Sequence, residues 1–183
     1  MADVRHTLKG KSRVFSQLLA RLEKAKEFST HVMLIGETGV GKDILARLLY
    51  EDYNARSIAV VMAPEAEALP ELPPHLRWLH IQNVHELSDL AQRTLMNRLK
   101  RSPLVRVVST ASIEILQKTR RGQFRADLFH LLSQTEWLVP PLRTRKADVE
   151  ELANHFLKEW NLRLGTNKIF HATALRYLES LYW

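Results

Sequence analysis

The sequence predicts an α/β fold, a parallel sheet wrapped by helices, and three observations point there. Short apolar runs of strand length alternate with longer amphipathic runs of helical period. A glycine-rich turn, Gly36-Glu37-Thr38-Gly39-Val40-Gly41-Lys42-Asp43, lies directly after an apolar run and directly before a helical one. After Pro140-Pro141 the pattern changes to helix only.

Taken in order, residues 15–26 carry apolar positions at helical spacing, and residues 31–35 (HVMLI) read as the first strand. A helix is expected over residues 43–53, a strand over 58–62, a strand over 78–81 and a helix over 87–101. Residues 105–110 and 137–139 read as further strands, separated by a helix over 125–132. That order requires parallel crossovers. Residues 63–74 (APEAEALPELPP) are rich in proline and glutamate and are expected to be a surface connection, because proline cannot donate to a sheet interior. Helices over 147–164 and 172–181, broken by Gly165-Thr166-Asn167, read as the start of a small helical lobe. The expected organisation is an α/β core over residues 1–145 and a partial helical lid over 146–183.

With 183 residues, 45% of them hydrophobic, the chain can bury one sizeable core. No apolar run approaches the roughly 20 residues of a membrane span, and the start, Met-Ala-Asp-Val-Arg-His, has no hydrophobic signal segment. A soluble cytoplasmic protein is expected. The absence of cysteine excludes disulfides and thiolate sites. A formal charge of +7 suggests a polyanionic partner, nucleotide phosphate or nucleic acid, but the basic residues fall in small scattered groups that mark no single arm or stripe.

The strongest local signal is the turn. Strand, glycine-rich loop and helix start together point backbone N–H groups at one small volume, where an anion belongs. Gly36, Gly39 and Gly41 allow close backbone approach, and Lys42 supplies a point charge to outer phosphates. Gly36, Glu37, Thr38, Gly39, Val40, Gly41, Lys42, Asp43 and Ile44 are the candidate nucleotide contacts. The usual Ser or Thr after the lysine, which would hold Mg²⁺ through its hydroxyl, is replaced by Asp43, a possible ligand of Mg²⁺.

At these residues the chain resembles the AAA+ ATPase domain of bacterial enhancer-binding activators of sigma-54 RNA polymerase, which commonly carry Gly-Glu-Thr-Gly-Thr-Gly-Lys-Glu. The likeness continues through Leu8-Lys9-Gly10-Lys11-Ser12, through Glu86-Leu87 and Gln92 to Leu99, and through Gly122-Gln123-Phe124-Arg125-Ala126-Asp127-Leu128-Phe129. It also takes in Val139-Pro140-Pro141-Leu142-Arg143-Thr144-Arg145 and Asp148. The resemblance implies a P-loop three-layer sandwich with a central parallel sheet and a helical lid, binding ATP or ADP, in a transcriptional regulator. The family's lid goes on to Trp-Pro-Gly-Asn-Val-Arg-Glu-Leu, with an arginine that senses the γ-phosphate, where this sequence reads Tyr182-Trp183.

Several family features are changed. Only residues 51–77 stand where the family inserts Gly-Ala-Phe-Thr-Gly-Ala, the loop that touches the sigma factor, so direct sigma-54 contact is not expected. The family's Walker B Asp-Glu falls on Gln82 and Asn83, amides that neither neutralise a cation nor act as a base. Because such groups typically supply ~10²–10⁴-fold in rate, hydrolysis is expected to be weak or absent. Glu86 and His85 are the nearest titratable substitutes. The polar sensor Thr-Asn reads Ala111-Ser112. Of the two interface arginines, Arg125 keeps the first, with surface pairing to Asp127 or Asp148 as its plain alternative, and the second falls on Leu131.

His80 and His85 lack a third ligand at metal spacing, the four tryptophans show no interleaving with basic residues, and the serines lack a nucleophile elbow. The favoured expectation is a nucleotide-binding module that gates self-association or pairing with an intact AAA+ partner through the Arg125 face. The alternatives are an active ATPase using Asp43, His85 or Glu86, and a non-catalytic DNA-associated remnant. The family's DNA-binding helix-turn-helix is not found in this sequence, and no membrane partner is expected.

Overall fold

The computed structural model describes residues 10–63 and 72–183. Most of the predicted connection at 63–74, and Leu8 and Lys9 of the opening motif, lie outside the described residues.

Helix α1 (Arg13–Ala25) starts at Ser12, whose hydroxyl accepts the Phe15 N–H at 3.3 Å, and it buries Phe15, Leu18, Leu22 and Ala25 along one stripe. Strand β1 (Val32–Ile35) is buried at all four positions, as expected of a central parallel strand covered on both faces. Helix α2 (Lys42–Leu48) begins at the end of the glycine-rich turn. It is shorter than predicted: Leu49 and Tyr50 continue as turn, each bonded three residues back.

Strands β2 (Ile58–Met62) and β3 (Trp78–Gln82) pair in parallel. Helix α3 (Asp89–Arg101), capped by the Ser88 hydroxyl on the Ala91 N–H at 3.2 Å, leads to β4 (Arg106–Ala111). Helices α4 (Glu114–Arg120) and α5 (Ala126–Leu132) follow, then β5 (Thr135–Leu138). The hydrophobic pattern did not predict α4, because only Ile115 among its seven residues is buried. Strand β5 starts two residues earlier than predicted, where Thr135 comes into register with Val32. Helices α6 (Val149–Leu164) and α7 (Ala172–Ser180) pack on each other, and Gly165, with φ of 64°, ends α6.

The sheet order is β2-β3-β4-β1-β5, all parallel. Alternate side chains divide the core into two layers. Met33, Ile35, Leu79, Ile81 and Val107 pack beneath α3, α4 and α5, whereas Val32, Leu34, Trp78 and Val108 pack beneath α1 and α2. This is the predicted three-layer α/β arrangement. At ~25 cal/mol per Å² of apolar surface, these two layers supply the main drive for folding. Among the described residues, no helix is long and apolar enough to cross a membrane.

The lower edge of the sheet is tied by Arg106, the first residue of β4. Its guanidinium lies 4.1 Å from the Trp78 ring centroid and donates to the carbonyls of Ala25 and Lys26 at 3.0 and 3.2 Å. The bonds add a charged donor to the Ala25 and Lys26 carbonyls at the end of α1, while the guanidinium covers the fully buried Trp78 indole. Strands β3 and β4 are thereby held to the end of α1 at one edge, opposite the glycine-rich turn.

Candidate functional site

The turn hangs from the carboxyl ends of β1 and β4, where ligands of open parallel sheets bind. The Gly36 N–H donates to the Ala111 carbonyl at 3.1 Å, prolonging the ladder by one bond before the chain leaves the sheet. Gly41 then takes φ of 94° immediately before α2, a left-handed conformation that a side chain would strain. At Gly36 the constraint is contact: a Cβ would stand 3.0 Å from the Val139 carbonyl oxygen.

Lys42 folds over this turn. Its Nζ donates to the carbonyls of Gly36 at 2.9 Å and Glu37 at 2.7 Å, and the residue is only 7% exposed. Burial lowers its pKa, while the neighbouring Asp43 carboxylate opposes that shift. The ammonium is therefore held at the loop by two neutral carbonyls, bonds that a phosphate oxygen can replace with one between opposite charges.

Asp43 is tied into a polar chain across the carboxyl ends of β3 and β4. Its Oδ1 accepts from Thr110 Oγ1 at 2.9 Å and lies 3.3 Å from His80 Nε2. The other ring nitrogen of His80 is 2.8 Å from the Tyr50 hydroxyl, and the Asn83 N–H donates to Thr110 Oγ1 at 3.2 Å. Burial raises the Asp43 pKa, but the bonds from His80 and Thr110 outweigh it and hold the carboxyl below the usual range. Burial pushes the Tyr50 hydroxyl up to about 12. Sequence reasoning read His80 as structural and left Tyr50 and Thr110 unassigned; the one available signal was a histidine inside an otherwise apolar strand.

Gln82 closes β3, half-buried, in register with Met62. Asn83 adopts φ of 55° and precedes a 3₁₀ turn, Val84–Glu86. This turn is locked to the end of β4: His85 Nδ1 accepts the Ser112 N–H at 3.2 Å, and Lys118 Nζ donates to the His85 carbonyl at 2.8 Å. Burial lowers the His85 pKa, with the nearby Glu86 opposing it. Glu86 Oε1 lies 3.5 Å from His85 Nε2.

Beside the loop opens a cavity of about 420 Å³, lined by Phe15, Val40, Ile44, Leu142, Phe156 and Trp183 among others. Its size suits a small organic ligand. Arg145 of the segment after Pro140-Pro141 lines it, and Arg143 binds two of its lining residues, Glu37 and Trp183. Arg143 makes a two-pronged bond to Glu37, one arm at 2.7 Å, which lowers the Glu37 pKa; the same guanidinium donates to the Trp183 carbonyl at 3.3 Å. Arg145 donates to the Val40 carbonyl at 3.2 Å and lies 4.5 Å from the Phe15 ring centroid. Asp148 Oδ2 lies 3.7 Å from Arg145 Nη1, and the carboxylate accepts from the Ser12 N–H and hydroxyl at 2.6 and 2.7 Å.

Arg125 stands apart from this cavity, at the start of α5. It is half-buried and pairs in two-pronged fashion with Asp127, at 3.0 and 2.6 Å, while its N–H donates to Gln92 Oε1 at 2.8 Å. Thus the structure brings Gly36 to Ile44, Gln82, Asn83, Thr110 and His80 to one end of the sheet and sets Arg125 on a separate surface.

Comparison with known proteins gives a consistent neighbourhood. The family described as the sigma-54 interaction domain matches residues 9–142. The nitric oxide reductase transcription regulator NorR1 of Cupriavidus necator is 31% identical over 95% of this chain and 41% of its own length. The anaerobic nitric oxide reductase transcription regulator NorR of Escherichia fergusonii is 28% identical over 94% of this chain and 42% of its own. The chain therefore spans about two fifths of the length of these relatives. The second alignment runs over 211 residues although the chain has 183, so the relative carries residues with no counterpart here.

Among solved structures, NtrX from Brucella abortus in complex with ADP superposes with a TM-score of 0.83 at 21% identity, covering 96% of this chain and 47% of that one. The P-loop NTPase domain of the sigma-54 transport activator from E. coli superposes with a TM-score of 0.56 at 19% identity, over 73% of this chain and 99% of that one. At these identities the structures establish the shared fold.

Proposed function

This chain belongs to the sigma-54 interaction domain family, and from that premise we propose that it is a nucleotide-binding regulatory module with little or no hydrolysis. The observation that carries the reading is Lys42, buried and held over the Gly36 and Glu37 carbonyls by a loop whose residues 37–41 line an apolar cavity. Phosphates would exchange with those two carbonyls for the ammonium, and a base would lie among Phe15, Ile44, Leu142 and Phe156. That NtrX was solved in complex with ADP and with ATP supports the choice of ligand.

Weak hydrolysis follows from the end of β3. Gln82 and Asn83 carry no charge, and Asn83 is turned into the left-handed region while its N–H is used by Thr110. Glu86 is the nearest carboxylate after them, and it lies close to His85. The output is conformational: nucleotide between the loop and residues 142–183 would change the Glu37–Arg143 contact and the position of the lid, and so gate association with a second copy or an intact AAA+ partner through the surface bearing Arg125. Residues 1–145 act as the core and 146–183 as the partial lid. The setting is bacterial transcription regulation, with no direct sigma-54 contact.

Titration calorimetry with ATP and ADP tests this reading. Saturable binding is expected, weakened about tenfold to a hundredfold in Lys42→Ala, the scale of one hydrogen bond to a charged group. Unchanged binding in that variant, or none at millimolar nucleotide, would refute it. Phosphate release lost on Glu86→Gln but not on Asn83→Ala would establish the active-ATPase alternative instead.

A further inference from the structure

The nucleotide of a P-loop site ordinarily arrives with Mg²⁺, so the residues here can be tested as a cation site. Mg²⁺ demands near-octahedral oxygen ligation and is usually held by one or two carboxylates together with phosphate oxygens. Gln82 offers a neutral amide in place of the first carboxylate. Asp43 offers a carboxylate, but its Oδ1 already faces two donors, Thr110 Oγ1 at 2.9 Å and His80 Nε2 at 3.3 Å. The histidine cannot turn away. It is fully buried, its Nδ1 lies 2.8 Å from the Tyr50 hydroxyl, and its Nε2, which makes no hydrogen bond among the described residues, lies 3.3 Å from Asp43 Oδ1.

With Tyr50 donating to Nδ1, the ring proton lies on Nε2, the nitrogen that stands 3.3 Å from Asp43 Oδ1 without bonding to it. A cation placed on that oxygen would displace the Thr110 hydroxyl and come against the buried Nε2–H edge of His80, which cannot ligate it. Glu86, the nearest carboxylate after β3, lies 3.5 Å from His85 Nε2, and no group of three or more His, Asp or Glu capable of holding a metal occurs among the described residues. The donor set does not fit the metal.

We infer that His80, packed 3.3 Å from Asp43 Oδ1 inside the sheet, takes the place beside that carboxylate that a divalent cation would need, so that this site takes ATP or ADP in its metal-free form. The inference rests on the nucleotide-binding reading above. It follows that Lys42 and the loop N–H groups, without a metal, offset the phosphate charge, and that Mg²⁺, by competing for the same phosphate oxygens, brings no gain in affinity.

The test is titration calorimetry of the full chain with ATP, once in EDTA and once in excess Mg²⁺, repeated on Gln82→Asp. The wild-type dissociation constants are expected to agree within about threefold, or to favour EDTA, whereas Gln82→Asp, which restores a carboxylate at a half-buried position, should gain a preference for Mg²⁺ of about tenfold or more. Wild-type binding at least about tenfold tighter with Mg²⁺ would overturn the inference while leaving the nucleotide reading intact. A Gln82→Asp protein that folds, by circular dichroism, and binds without any metal preference would also overturn it. Absence of binding in both buffers would refute the nucleotide reading itself, and this inference with it.

Discussion

Replacing Asp148 with alanine should be among the most damaging single changes to this fold. Asp148 is fully buried and far in sequence from the residues it holds. It accepts the Ser12 N–H at 2.6 Å and the Ser12 hydroxyl at 2.7 Å, closing the start of α1 onto the start of the lid, and it faces the Arg145 guanidinium at 3.7 Å. Arg145 is itself only 6% exposed, and burial lowers its pKa against the opposing pull of Asp148. Each hydrogen bond to a charged acceptor is worth ~1.5–3 kcal/mol, and removing one partner of a buried pair costs ~3–5 kcal/mol because the other charge stays behind. These terms overlap, so the expected loss for Asp148→Ala is about 3–5 kcal/mol rather than their sum. For a chain of this size that lowers Tm by roughly 6–20 °C. Asp148→Asn, which keeps one acceptor but not the charge, should fall between wild type and alanine. Urea and thermal unfolding followed by far-ultraviolet circular dichroism measure both. A loss below about 1 kcal/mol for Asp148→Ala would refute the reasoning, since that is the cost of one ordinary neutral hydrogen bond.

Two further outcomes are expected. Gly41→Ala should cost about 1–2 kcal/mol of stability from left-handed backbone alone, because its φ is 94° and a Cβ there would meet no atom within 4 Å; Gly36→Ala should instead displace the loop from Val139 and weaken nucleotide binding, both read by unfolding curves and calorimetry. Stability should fall on mild acidification: burial lowers the pKa of His31 and of His85 from 6.5, and each Nδ1 accepts a backbone N–H, from Val107 at 3.0 Å and from Ser112 at 3.2 Å. The unfolded chain then binds more protons than the folded one below that value, so the stabilisation present above the unfolded pKa is lost as pH drops through it. A Tm that is unchanged between about pH 7.5 and about pH 5.5 would contradict this, and His31→Gln should flatten the profile.

Much of the architecture was legible in the residue pattern. Strand β1 declares itself by four consecutive apolar residues, and the loop by three glycines and a lysine between a strand and a helix, because both are consequences of local period and backbone permissiveness. The match of strands to within two residues at either end follows from the same local physics. Helix α4 was not legible because its single buried residue, Ile115, leaves no periodic stripe. The end of α2 was misplaced because Tyr50 is apolar in pattern but turns its hydroxyl to His80, a partner thirty residues away.

The candidate site divides along the same line. From the sequence came the expectation of a phosphate loop and of a role for Lys42, which depend on residue type at fixed spacing, and, through the family resemblance, the placement of Gln82 and Asn83 where that family has two carboxylates. Only the tertiary structure decided what Asp43 does. Its neighbours Thr110 and His80 reach it from β4 and β3, strands whose adjacency arises from sheet order, and the Ser12, Arg145 and Asp148 clasp joins residues 136 apart in the chain. Spacing along a chain encodes the chemistry of a loop; which polar groups share a buried oxygen is set by how the strands pack.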